Sequence, residues 1–222
     1  FKIIMSSERN LIYVGMAKET AHQLGTPISS LMGWLKLLND NKEDKSSILK
    51  SMDEDVIRLK DISERFSKIG SHPQLTTIKI FDLISSIINY MELRLPINSK
   101  IILELNGDQN IEIKGDKILL IWAIENLLKN AVDALTGGQG NIKINVENID
   151  YETLIIISDT GRGINRKYWK NIFHPGYSTK TRGWGLGLSL TLRIIKEIHS
   201  GKIYLHRSVP GETIFHIILK NK

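Results

Sequence analysis

A lone histidine in the segment TAHQLGTPISSLMGW is a candidate nucleophile. At 100° per residue, this His22 and Thr26 point away from the apolar stripe of their helix, so we expect both at the surface, one turn apart. Gly25 and Pro27 lie beside them, although glycine costs about 1 kcal/mol and proline about 3 kcal/mol inside a helix. Because neutral imidazole is nucleophilic near pH 7, the segment predicts a phosphate acceptor, with an ordinary surface histidine as the alternative.

Three side chains with metal-binding oxygens recur at helical spacing in the segment ENLLKNAVDAL. Asn126, Asn130 and Asp133 are separated by four and three residues, which places them on one face of a helix. Mg²⁺ prefers oxygen ligands and keeps several of its waters, so this face predicts a site for magnesium and a triphosphate. A helix with an ordinary polar face is the alternative.

A carboxylate and two glycines follow a strongly apolar run in the segment LIIISDTGRGI. Asp159 at the end of this predicted strand could accept a hydrogen bond from an exocyclic amine, such as that of adenine. Gly161 and Gly163 would let a ligand approach the backbone closely. A common Asp-x-Gly turn is the alternative.

A second group of glycines comes just before a predicted helix in the segment STKTRGWGLGLSL. These are Gly183, Gly185 and Gly187, and the free N–H groups at the N-terminus of such a helix can hold phosphates. The spacing is neither the dinucleotide fingerprint nor a P-loop. It therefore predicts a phosphate-binding turn of another kind.

Basic residues are concentrated around these glycines. The chain has a net charge of +6, and residues 160–196 contain eight basic side chains, Lys180 among them, but no acidic one. Such a local segment suits a polyphosphate better than a long nucleic acid, so we expect no nucleic-acid partner. The polar stretch between the two glycine groups has Phe173 and Tyr177 as apolar anchors, and it predicts a lid over the ligand.

Two amphipathic helices are expected over residues 1–70. A polar segment, 39–47, separates two seams in which apolar residues recur mainly every three or four positions. Because a lone hairpin cannot bury both seams, we expect an antiparallel hairpin that pairs with a second copy into a four-helix bundle. The seams consist of Ala17, Ala21, Leu24, Ile28, Leu31, Leu35 and Leu38, and then of Leu49, Met52, Val56, Leu59 and Phe66.

Residues 73–222 combine strand and helix signals, which makes the whole chain α+β. Short apolar or alternating runs predict strands, and residues 116–135 predict a long helix. We expect an α/β sandwich, in which helices cover one face of a mixed sheet. The sequence contains no cysteine, which weakly favours a reducing compartment, and it has no apolar run near the ~20 residues of a membrane span.

The order of these motifs resembles the catalytic core of a bacterial two-component sensor histidine kinase. Residues 1–70 resemble the dimerisation and phosphotransfer hairpin of that family. Residues 73–222 resemble its Bergerat-type ATP-binding domain, shared with type II topoisomerases, Hsp90-like chaperones and mismatch-repair proteins. The resemblance implies ATP and Mg²⁺ as ligands, a homodimer, and transfer of a phosphoryl group to an aspartate in the receiver domain of a response regulator. It also implies a cytoplasmic location, with membrane contact only through segments outside this sequence.

The resemblance implies roles for matching residues. His22 would be phosphorylated, Thr26 would orient water during dephosphorylation of the partner, and Asn130 would bind Mg²⁺. With the motifs above, the expected nucleotide-binding residues are Asn126, Asn130, Asp133, Asp159, Gly161, Gly163, Lys180, Gly183, Gly185, Gly187 and Thr213.

Gln23 departs from the family pattern, which usually has Glu or Asp directly after the histidine to assist its deprotonation. Gln23 cannot take a proton, although Glu19, one turn earlier, could substitute for the acid. Two alternatives therefore stay open. One is a nucleotide-binding scaffold or phosphatase-biased regulator with weak kinase activity. The other is an ATPase of the same superfamily, but those enzymes carry a glutamate where Asn126 stands.

Overall fold

The computed structural model describes residues 2–40, 45–70, 73–179 and 184–221. The chain divides into two compact units, Phe1–His72 and Pro73–Lys222. The first unit is helical, and the second combines helices with strands. None of the described helices is long and apolar enough to cross a membrane.

Two long helices form the first unit: α1 spans Lys2–Asp40 and α2 spans Lys45–Gly70. The two helices pack against each other as an antiparallel hairpin. α1 continues through Pro27, which is buried in the hairpin. The indole Nε1 of Trp34 donates a hydrogen bond of 3.0 Å to Oδ2 of Asp55, and this contact links the two helices.

The buried side of α1 differs from the predicted seam by one residue. Met16 and Pro27 are buried, whereas the seam residues Ala17 and Ile28 are exposed. The reason is that the hairpin buries the side that faces α2 and leaves the neighbouring apolar side uncovered. Large exposed apolar side chains on the two helices include Ile28, Met32, Leu35, Leu49, Val56 and Phe66.

The second unit is built from short helices and strands. Its helices are α3 (Ile80–Glu92), α4 (Lys117–Ala134) and α5 (Gly187–Arg193), and α5 continues into a π-helical turn at Ile194–Ile198. Its strands are β1 (Thr76–Lys79), β2 (Lys100–Gly107), β3 (Glu112–Gly115), β4 (Gln139–Ile149), β5 (Glu152–Asp159), β6 (Lys202–Val209) and β7 (Glu212–Lys220).

The strands of the described residues form two sheets. β1 pairs antiparallel with β3, and the larger sheet has the order β2-β4-β5-β7-β6. In the larger sheet β2 is parallel to β4, and the other neighbours are antiparallel. The predicted mixed sheet is therefore confirmed.

One face of the larger sheet forms the core with the helices. Burial alternates strictly along β5 and β7, so that Ile155, Ile157 and Ile217 are buried while the residues between them are half-exposed. The buried residues of α3 recur at i, i+3, i+4 and i+7, which directs one apolar stripe towards the core. The predicted arrangement of helices on one face of the sheet follows from these two patterns.

One strand was not predicted. β3 has only four residues and includes Glu112 and Gly115, so it carries no clear strand signal. Its pairing with β1 lies just before α4, and this small sheet leads the chain into the helix that bears the asparagines.

Candidate active site

His22 is exposed on α1, as the helical pattern predicts. Thr26, one turn further on, is also exposed. Gly25 between them has no heavy atom within 4 Å of the place where a Cβ would stand. The small residues around the imidazole therefore leave it open to another molecule.

Gln23 is half-buried and engages a neighbouring carboxylate. Its Nε2 donates a hydrogen bond of 2.7 Å to Oε1 of Glu19, one turn earlier on α1. The neutral amide thus holds the carboxylate of Glu19, which comes three residues before His22 in the sequence. Because an amide neither gains nor loses a proton near neutral pH, Gln23 can position Glu19 but cannot transfer a proton.

α4 carries the predicted asparagines. Its N-terminus is capped by Asp116, whose Oδ1 accepts the N–H of Leu119 at 3.3 Å. Asn126 and Asn130 are half-buried one turn apart, whereas Asp133 is exposed. The structure thus places the two asparagines on the partly covered side of the helix and Asp133 towards solvent.

Asp159 ends β5 as a buried carboxylate, only 7% exposed. Its Oδ1 accepts the backbone N–H of Gly161 at 2.8 Å. Burial raises the pKa of Asp159 to about 6, and the hydrogen bond from Gly161 partly opposes this rise. At pH 7 the group is therefore mostly ionised, and a buried carboxylate of this kind can accept an N–H from a ligand.

The first glycine pair permits close approaches of the backbone. A Cβ on Gly161 would stand 2.6 Å from Cβ of Ala134 and 2.7 Å from Oδ1 of Asp159. Gly163 has a φ of +75°, and a Cβ there would stand 2.6 Å from the backbone of Val209. Only glycine fits both places, so the turn is held tightly against the end of α4 and the start of the β6–β7 turn.

Thr213 lies opposite Asp159 in the pairing of β5 with β7. It is buried, and its Oγ1 is 3.1 Å from Oγ of Ser208. Ser208 also accepts the N–H of Ile164, from the first glycine turn, at 2.7 Å. Ser208 was not predicted from the sequence, although pairing the β6 and β7 segments in register would have placed it opposite Thr213.

Gly185 of the second glycine group packs against residues 176 and 177, in the stretch that is predicted to be the lid. The carbonyl of Gly185 accepts the N–H of Gly176 at 3.1 Å, and a Cβ on Gly185 would stand 2.5 Å from the backbone of Tyr177. Gly185 has a φ of +65°, a conformation that favours glycine. Lys180 and Gly183, which are also predicted to bind the nucleotide, lie outside the described residues.

Gly187 begins α5 and brings this helix to the asparagine helix. Its carbonyl accepts Oγ1 of Thr191 at 2.8 Å and Nδ2 of Asn126 at 3.5 Å. The structure therefore brings together the Asn126 side of α4 and the second glycine turn, which are about sixty residues apart in the sequence.

Aromatic side chains anchor the first part of the predicted lid. The ring of Phe173 packs edge-on against that of Phe215 on β7, with centroids 6.3 Å apart. Tyr177 packs against Tyr168 at 5.8 Å. Both contacts hold residues 173–177 in place at the first end of the lid.

The donor set suits Mg²⁺ that is also held by phosphates. Within the described ranges, no three His, Cys, Asp or Glu side chains are grouped so that they could hold a metal ion. Mg²⁺ often takes one or two protein oxygens and completes its shell with phosphate oxygens and water. The amide oxygen of the half-buried Asn130 has the chemistry of such a ligand, so the residues present fit a magnesium–nucleotide complex better than a metal-only site.

Part of the second unit matches a known protein family. Residues 115–222 match the family described as histidine kinase-, DNA gyrase B-, and HSP90-like ATPase. Sporulation kinase C of Bacillus subtilis (strain 168) is 26% identical over 226 residues, with 100% of this chain and 52% of the relative covered. AtoS, a signal transduction histidine-protein kinase of Escherichia coli (strain K12), is 30% identical over 199 residues, with 86% of this chain and 32% of the relative covered. The chain spans about half or less of such relatives.

Solved structures agree with these sequence matches. The nucleotide-free catalytic domain of the histidine kinase ThkA matches with a TM-score of 0.61 and 26% identity, over 66% of this chain and 95% of the other. ThkA in complex with the response regulator TrrA shares the fold over 97% of this chain and 64% of the other, at 22% identity and a TM-score of 0.61. The shared fold therefore extends over both units.

Proposed function

We propose that this chain is the catalytic core of a two-component sensor histidine kinase. In this role, it transfers the γ-phosphoryl group of ATP to His22. One observation carries this proposal. The chain combines an exposed imidazole on α1 with a second unit in which α4 has two contacts: its end packs against the turn that holds the buried carboxylate of Asp159 and the first glycines, and its Asn126 donates to the carbonyl of Gly187.

Each of these groups would hold one part of the nucleotide. The ionised carboxylate of Asp159 would accept the exocyclic amine of adenine, and the adjacent Thr213 would contact the same base. Asn130 would ligate Mg²⁺, which neutralises phosphate charge when it is bound. The N-terminal backbone of α5 at Gly187 would hold phosphates, and Lys180 of the lid would add a positive charge.

The phosphoryl transfer forms one bond and breaks one bond. The lone pair of an imidazole nitrogen of His22 attacks the γ-phosphorus, the bond from phosphorus to the bridging oxygen breaks, and ADP leaves with that electron pair. The attacking nitrogen carries no hydrogen in the neutral ring, so the phosphorylated ring is left with the proton on its other nitrogen. That proton is released to solvent, because Gln23 cannot accept it. Most of the rate enhancement comes from positioning and charge neutralisation, as is usual for phosphoryl transfer.

The hairpin would act as a homodimer. The exposed apolar side chains of α1 and α2 recur at helical spacing, which is the pattern of a helix face that packs against another helix. A second copy would cover both faces at once in a four-helix bundle. His22 and Thr26 lie on another side of α1 and would remain accessible.

The phosphoryl group would then pass to an aspartate of a response-regulator receiver domain on the cytoplasmic side, where ATP is present. ThkA, which shares the fold, has been crystallised with a response regulator of this kind, TrrA. In this chain, the open surface around His22, Gly25 and Thr26 favours docking of the same kind. The exposed Thr26 also favours a second activity, dephosphorylation of the same partner, since its hydroxyl could orient a water molecule.

Two variants test the proposal by separating nucleotide binding from phosphorylation. His22→Gln should bind Mg²⁺-ADP as the unmodified chain does but take up no label from γ-labelled ATP. Asp159→Asn should lose both properties. Acid-labile label retained by His22→Gln at the level of the unmodified chain would refute the role of His22, and phosphate release without protein labelling would favour the ATPase alternative.

A further inference from the structure

His199 lies just after the π-helical turn that continues α5, and its protonation state is fixed by its neighbours. Nδ1 is 2.8 Å from the carbonyl oxygen of Ile194, which can only accept, so Nδ1 carries the hydrogen. Nε2 lies 3.0 Å from the backbone N–H of Asp116 and must accept from it. His199 is buried, so the structure requires the neutral ring with its hydrogen on Nδ1.

The surroundings of His199 favour this neutral form. Burial lowers the pKa of His199, and this effect outweighs the opposing influences of the Ile194 carbonyl and of the Asp116 carboxylate. A second proton on Nε2 would also face the N–H of Asp116. Gly115 leaves room for the contact, since a Cβ there would stand 3.1 Å from Nε2.

This contact joins two helices that both carry candidate nucleotide-binding groups. Asp116 caps the N-terminus of α4, and His199 follows the segment that α5 begins. The same helices meet again near the candidate site, where Asn126 on α4 donates to the carbonyl of Gly187 at 3.5 Å and Thr191 on α5 donates to the carbonyl of Ala123 at 3.4 Å. The separation of α4 from α5 is therefore fixed at two places.

We propose that His199 is a positioning residue for nucleotide binding. Its ring holds the segment after α5 at a set distance from the N-terminus of α4, and so sets the backbone at Gly187 relative to Asn126 and Asn130. The inference rests on the proposed function, because it assumes that this cluster binds a nucleotide. It adds a residue that contacts no nucleotide and acts through the spacing of two helices.

Two amide substitutions separate the two hydrogen bonds of the ring. In His199→Asn, the shorter amide takes the place of Nδ1 and can still donate to Ile194. In His199→Gln, the longer amide takes the place of Nε2 and can still accept from Asp116. Each variant loses one buried hydrogen bond, so both should lose similar thermal stability. Only His199→Asn releases α4.

The affinity for Mg²⁺-ADP, measured by calorimetry at pH 8, then decides between a positioning role and a merely structural one. We expect His199→Gln to bind within about threefold of the unmodified chain, and His199→Asn about tenfold more weakly. Equal affinities of the two variants, with similar losses in unfolding midpoint, would overturn the positioning role. Absence of binding by the unmodified chain would overturn the proposed function as well, so the two failures are distinguishable.

The tautomer gives a test that needs no nucleotide. Long-range ¹H–¹⁵N correlation spectra of the chain should show His199 with its hydrogen on Nδ1. A hydrogen on Nε2 would remove the acceptor for Asp116 and overturn the inference.

Discussion

Replacement of Asp159 by Asn should make the chain more stable and less able to bind nucleotide. The pKa of Asp159 is raised from 3.8 to about 6, a change of about two units. At 1.36 kcal/mol per unit, keeping this carboxylate ionised in the folded state costs about 3 kcal/mol at neutral pH. An asparagine avoids that cost. The asparagine leaves one buried amide N–H without an assured acceptor, which costs about 1 kcal/mol. We therefore expect the free energy of unfolding to rise by about 2 kcal/mol above pH 7.

The sign of the pH dependence follows from the direction of the shift. Because the folded state holds the proton of Asp159 more tightly than the unfolded state, stability falls as pH rises from about 4 to about 6. The advantage of Asp159→Asn should therefore grow over that interval and vanish below it. Near pH 4, the asparagine variant should be about 0.5 kcal/mol less stable than the unmodified chain.

Urea unfolding at several pH values, followed through resolved amide resonances of β5 and β7, measures this difference. Both proteins are compared at each pH, so that contributions of other groups cancel. Mg²⁺-ADP affinity at pH 8 is measured alongside and should fall at least about tenfold in Asp159→Asn. A stability difference that does not change between pH 4 and pH 8 would refute the argument from burial.

Three further predictions concern other parts of the chain. Gly161→Ala should lower the free energy of unfolding by about 1–3 kcal/mol, because the added Cβ would overlap Ala134. Gly187→Ala should change it little, since the added Cβ would be 3.8 Å from its nearest neighbour, and the thermal unfolding midpoints of the two variants measure the difference. Burial lowers the pKa of His199, so the stability that the neutral ring of His199 contributes is present above pH 6.5 and is lost on acidification. The free energy of unfolding of His199→Gln should lack this pH dependence. Met32→Glu should raise the dimer dissociation constant at least about tenfold by analytical ultracentrifugation, because it places a charge on an exposed apolar face.

Much of the fold follows from periodicity in the sequence. The helix predicted over 116–135 is α4, and the runs that predict β5 and β7 are found within one or two residues, because short apolar runs bounded by turn residues are a clear strand signal. β3 is not predicted from the sequence, because four residues that include a glycine carry little strand propensity. Its pairing with β1 depends on tertiary context. The seam on α1 differs by one residue because the hairpin buries only the side of α1 that faces α2, and spacing alone does not distinguish that side from the neighbouring apolar side.

The candidate site shows the same division between local and tertiary information. Asp159 and the glycines are recognisable because their chemistry and spacing are local. Ser208 lies opposite Thr213, a relation that is recognisable only once the strands are paired. His199 is a lone histidine in the sequence, and its contact with Asp116 joins residues 83 positions apart, so no local pattern indicates it.

The position of the phosphoryl group on the chain tests the central claim most directly. The chain is incubated with Mg²⁺-ATP, digested at neutral to mildly alkaline pH to preserve phosphohistidine, and analysed by tandem mass spectrometry. A single phosphoryl group on the imidazole of His22 is the expected result. Phosphorylation at another residue with His22 unmodified, under conditions in which the chain binds ATP, would contradict the account.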